Sequence, residues 1–116
     1  MNSNLRTTLV TLALVVTTAP TLAASDAFGR ATVLGRAHGA AIACNAPEAE
    51  RSQFRGLAEK ELRRLAVNPG DVSDATTRMA LETGKARRAV EGGSIACKDA
   101  LSFYKDQFKG LRGQKR

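Results

Sequence analysis

Few residues in this sequence have the type and spacing for chemistry, and they narrow the options quickly. Cys44 and Cys97 are its two cysteines, 53 residues apart. That is not the Cys-x-x-Cys of a local redox or metal motif, so one long-range disulfide is the simplest use of the pair. Closing so long a loop would contribute on the order of 4 kcal/mol in the loop-entropy picture. A second chemistry stays open. A thiol in the first turn of a helix is acidified by the helix dipole, so a free Cys97 would be a reactive thiolate with Cys44 to resolve it, as in a thiol-redox protein. His38 is the single histidine. Zinc and haem sites draw on several His or Cys ligands, and no Gly-x-Ser-x-Gly turn presents a serine for His38 to activate.

The acidic residues offer no better site. Glu48 and Glu50, like Glu59 and Glu61, are two apart and so point to different sides of a helix. Asp71 and Asp74 read as capping residues, and Asp99 and Asp106, flanked by lysines, as ionised surface acids. Gly92-Gly93-Ser94 reads as a turn between helices and not as a phosphate cradle, for no strand precedes it and no P-loop lysine follows. The expectation is therefore no catalytic residue, no metal and no cofactor.

What remains is contact. The net charge is +7, an excess that favours anionic partners without choosing among them. Lys105, Lys109, Arg112, Lys115 and Arg116 gather it into a basic C-terminal tail. Phe103 adds an apolar residue outside the main stripe of its helix, with Ala96 and Ala100 on the same side, and completes the candidate interaction set. Arg63-Arg64 and Arg87-Arg88 fall on different helices with no aromatic platform beside them, so no specific nucleic acid is expected. The partner is read as an unknown protein or an anionic surface, with a homodimer one of the assemblies such a chain could form.

The elements that must position these residues are helices. Residues 1–23 have the layout of a secretory signal peptide: Arg6, an apolar run from Leu9 to Val16, and Thr21-Leu22-Ala23 before the cleavage point. The run is too short for a stable transmembrane helix, so no anchor is expected after cleavage. Residues 24–116 then form one helical domain, periplasmic or secreted, with a net charge of about +6 once Arg6 is gone.

Ser25-Asp26 can cap a first helix to about Ala43, with Leu34, Ala37, Ala41 and Cys44 on its buried stripe. A second row, Ala31, Gly35, Gly39 and Ala43, is made only of small residues. Two glycines inside a helix cost about 1 kcal/mol each, so close approach of a neighbour should offset them; a bend is the alternative. Pro47 opens a second helix whose apolar face runs through Phe54, Leu57, Ala58, Leu62 and Leu65, with Glu59 and Arg63 able to pair. Val67 to Asp71 reads as a turn, and Asp71 or Ser73 caps a third helix carrying Val72, Ala75, Met79, Ala86 and Val90. Gly92-Gly93 ends it, and Ser94 caps the fourth. There Cys97, Leu101, Tyr104, Phe108 and Leu111 recur at four, three, four and three. With four Phe, one Tyr and no Trp in the chain, the core is expected mainly from Ala, Leu, Val and Ile.

The fold class is therefore all-α, a small four-helix up-down bundle with one disulfide. In that topology the end of the first helix and the start of the fourth lie together, which is where the two cysteines fall. Ala96-Cys97-Lys98-Asp99 and Phe103-Tyr104-Lys105-Asp106, in an exported helical chain with one widely spaced cysteine pair, resemble the small periplasmic acid-stress chaperones of the HdeA kind. That resemblance implies a homodimer that dissociates at low pH and exposes apolar surface to unfolding clients. The leading expectation is a non-enzymatic exported helical protein acting through protein or anion contacts. An acid-activated periplasmic chaperone is the alternative, and a thiol-redox protein the second.

Overall fold

The computed structural model describes residues 26–114; residues 1–25, with the segment read as a signal peptide and the Ser25 cap, and Lys115 and Arg116 lie outside them. Four helices follow one another: α1 over residues 26–43, α2 over Glu48–Leu65, α3 over Pro69–Glu91 and α4 over Cys97–Gly113. The pairs that touch fix their directions. Arg30 reaches Glu61 and His38 stacks on Phe54, so α1 and α2 are antiparallel. Cys44 is bonded to Cys97 and Arg30 donates to Gln107, so α4 is antiparallel to α1. Tyr104 lies by Glu50 and Gln114 by Glu61, so α4 runs parallel to α2. The result is the up-down-up-down bundle.

The core rests on two kinds of packing. Between α1, α2 and α4 the buried Phe54, Tyr104 and Phe108 meet with ring centroids 5.2 to 5.7 Å apart at tilted or edge-on angles, the arrangement aromatic quadrupoles prefer. Leu34, Leu62 and Leu111 close around them. Alanines fill much of the remaining interior, and the valines of α1 and α3 are only half-buried. The core is thus alanine, leucine and aromatic rings: the expected alanine and leucine are there, while no valine or isoleucine of the described residues is fully buried. Three of the five aromatic residues do the filling.

Between α1 and α3 there is almost no side chain at all. A Cβ on Gly35 would sit 2.5 Å from the Met79 carbonyl oxygen and 2.8 Å from the Glu82 Cβ, and one on Gly39 would collide with the Thr83 carbonyl. The glycine row is the close approach it promised, with α3 as the neighbour, and α1 runs unbroken through it. Gly35 meets Met79 while Gly39 meets Thr83, so contacts advance by four on both helices and the two run parallel.

The ends of α1 and α3 are built alike. After α1, Asn45 takes a left-handed φ of 58° while Ala46 N–H reaches back to the Ala41 carbonyl at 2.9 Å. After α3, Gly93 takes φ 86° and Ser94 N–H reaches the Ala89 carbonyl at 2.9 Å. Each is the left-handed stop that satisfies orphan carbonyls. Ser94 is therefore committed to ending α3; Ala96 stands at the cap position of α4, with no side-chain cap. Asn68, not Asp71 or Ser73, caps α3 by accepting from Asp71 N–H at 3.0 Å, and Pro69 is the first helical residue, where its missing donor costs nothing. Glu59 pairs back to Arg55 at 3.8 Å and not forward to Arg63.

Candidate functional site: a groove between α3 and α4

The two packing modes leave a gap. α3 is drawn onto α1 through glycine, while α4 turns Tyr104 and Phe108 inward toward Phe54. The flank of α4 that carries Ala100 and Phe103 then faces α3 across a recess of about 440 Å³. Ala40 of α1 forms its floor, Ala86, Ala89 and Val90 of α3 one wall, and Ala100 and Phe103 the other, with Ile95 of the connecting loop at the end near the disulfide. Small side chains make the recess, because alanine cannot span the space that leucine would fill. Phe103 and Ile95 stay 37% and 42% exposed, so apolar surface lines the opening as well as the floor.

One end of the groove is charged. Glu82 is only 5% exposed, and three cations reach its carboxylate: Lys85 Nζ at 3.3 Å, Arg36 Nε at 3.5 Å and Arg78 Nη1 at 3.6 Å. Burial pushes the Glu82 carboxyl up, but Lys85 and Arg36 more than offset it and hold it below the ordinary carboxylate range. Asp99 sits on the opposite wall, in the first turn of α4.

A second buried acid ties the other side of the bundle. Glu61, 4% exposed, accepts a two-pronged bond from Arg64 at 2.9 and 3.0 Å and another from Gln114 at 3.1 Å. Arg30 of α1 lies at 3.7 Å. The Arg64 bond, with Gln114 behind it, keeps Glu61 ionised below its usual range against the opposing effect of burial. Neither acid was singled out as buried from the sequence, yet both stand on their helix's apolar stripe: Glu61 three past Ala58, Glu82 three past Met79. That position was the available signal.

The predicted interaction residues separate. Phe103 borders the groove. Lys105 and Lys109 are exposed about 120° to 160° farther round α4, and Arg112 is nearly opposite Phe103. Arg112 holds its guanidinium 4.2 Å from the centre of the Phe108 ring, a cation-π contact that fastens the end of α4 to the core. With Lys98 they form a basic stripe on the outer face; Lys115 and Arg116 lie outside the described residues.

Cys44 and Cys97 are joined, Cα to Cα 5.6 Å, with Cys97 at the exposed first position of α4. His38 is half-buried and lies parallel to the Phe54 ring at 6.1 Å. Burial, and then the charges of Arg55 and Arg51, lower its pKa. Among the described residues no three His, Cys, Asp or Glu side chains come together as a metal site, and no helix is long and apolar enough to cross a membrane. No family model matches this chain, and searches of curated proteins and of solved structures return no similar one.

Proposed function

We propose that this chain is a non-enzymatic exported protein, periplasmic or secreted, that acts by contact through the groove between α3 and α4. The observation that carries the reading is the half-exposed pair Phe103 and Ile95 over an alanine-lined recess. Val67 and Leu81 are more exposed still, but Phe103 and Ile95 border a recess, and a concave apolar site with a few charged groups at its edge is the usual form of a binding site. The basic stripe on the outer face of α4 supplies the anion contact in the same reading. The neutral dye N-phenyl-1-naphthylamine tests it: one dye per chain should bind and brighten, and Phe103→Asp should abolish this while the helical circular dichroism stays unchanged. Equal brightening by the variant sinks the proposal.

A specific observation favours acid activation as the second reading. Glu61 and Glu82 cross-link helices as carboxylates, and both titrate below their ordinary range, so the stability they give is present above that range and lost as pH falls through their folded values. His38, held neutral, works in the same direction from its usual value near 6.5 downward. An acid-activated chaperone, and the homodimer that goes with it, is tested by suppression of client aggregation at about pH 2 to 3, where carboxylates are neutral. Thiol exchange through Cys97 and Cys44 draws on the exposure of Cys97, and mixed-disulfide trapping tests it.

A further inference from the structure

We infer that the groove between α3 and α4 holds a monomeric anionic amphiphile, a carboxylate on a medium-length alkyl chain, with its head at Arg36 and Lys85 and its tail toward Ile95. The inference rests on the groove reading above and names the occupant. Arg36, Arg78 and Lys85 all reach one carboxylate, Glu82, and of the three Arg36 and Lys85 line the groove, so that end carries an excess of positive charge. Their side chains are 60%, 45% and 62% exposed, which leaves their outer donors open to a second carboxylate. The acid on the other wall, Asp99, is some four residues nearer the disulfide than Phe103, away from the cluster.

Apart from Asp99, the rest of the recess is apolar and suited to an alkyl chain. From Glu82 to Val90 the α3 wall runs eight residues, about 12 Å along the helix. Beyond Lys85 it offers only Ala86, Ala89 and Val90, faced by Ala100, Phe103 and Asp99. No hydroxyl, amide or free backbone donor is needed to place a methylene chain there. A volume of about 440 Å³ lies in the range of small-ligand sites. An alkyl chain would supply the dispersion contacts that alanine leaves unmade. A sugar, nucleotide or peptide would bury polar groups without partners.

Isothermal titration of the oxidised chain with dodecanoate, dodecanol and dodecyltrimethylammonium tests the head group. Dodecanoate should bind one per chain below its own micelle concentration, and the cationic homologue at least about tenfold more weakly, since it meets two positive charges in place of finding two counter-charges. Arg36→Gln/Lys85→Gln, which leaves Arg78 on Glu82, should weaken dodecanoate about fivefold and leave dodecanol unchanged. Ala89→Phe should block all three by filling the recess. Ile95→Asp, on an exposed loop residue that cannot unfold the bundle, should weaken all three.

Equal affinity for the anionic and cationic chains overturns the inference while the neutral dye still entering the groove leaves the groove reading intact. Exclusion of the dye as well overturns both. Co-sedimentation with phosphatidylglycerol vesicles in place of monomer binding assigns the surface to a membrane, and a dimer by light scattering with the groove protected assigns it to a second copy. Either result removes the amphiphile.

Discussion

Where α2 meets α4, three aromatic rings occupy the space between the helices; where α1 meets α3, backbone meets backbone and glycine leaves room for nothing else. The first seam is held by buried area and is tolerant, because rings can tilt. The second is held by proximity and is intolerant, since any added atom must push a helix away. The contrast explains the groove. A helix held close along one edge and a helix held by bulky rings along another do not meet, and the recess is the space between them.

Removing the filler of the aromatic seam should cost most. Phe54→Ala is expected to lose about 4 kcal/mol by chemical denaturation, from transfer and from the cavity left among Tyr104, Phe108 and His38. Cys44→Ala/Cys97→Ala, which touches neither seam but frees the ends that hold both, should lose about 3 kcal/mol.

Gly39→Ala sharpens the comparison at the close seam. The collision with the Thr83 carbonyl should outweigh the helix propensity gained, leaving a net loss of about 1–2 kcal/mol, whereas Gly56→Ala, where a Cβ meets nothing, should gain up to about 1 kcal/mol. A stabilising Gly39→Ala would show that the seam opens freely.

Acid should act on both sides of the bundle. Stability is expected flat above the usual histidine value near 6.5, to decline as His38 gains its proton, and to fall again below the ordinary carboxylate range as Glu61 and Glu82 are neutralised. Thermal melts across that span check the two steps; a pH-independent melting temperature would remove the role given to the three groups. Phe103→Ser should cost about 1 kcal/mol, since the side chain, 37% exposed, borders the groove and not the core.

Much of this architecture was legible because its period was strong. Tyr104, Phe108 and Leu111 sit where the four-three rhythm of α4 put them, and the cysteine positions chose the topology independently. The glycine row announced a close neighbour, but Gly35 and Gly39 carry no mark of which helix approaches. Local caps were misread where two helices competed for one residue: Ser94 looks like the start of α4, yet its N–H is used to finish α3. The burial of Glu61 and Glu82 was missed because charge spoke louder than register. The groove was illegible in principle. Phe103 stood out as an exposed aromatic, but the recess beside it exists only once α1, α3 and α4 are placed together.

The bond between Cys44 and Cys97 also decides what a protease can achieve. The connection from α2 to α3, where Val67 is 64% exposed and Asn68 and Pro69 follow it on the surface, is the natural place for a cut. It lies inside the covalent ring. A single nick there yields two peptides still fastened through sulfur, with α1 and α2 on one and α3 and α4 on the other, so the cleaved molecule keeps its mass in one particle and parts only when the thiols are reduced.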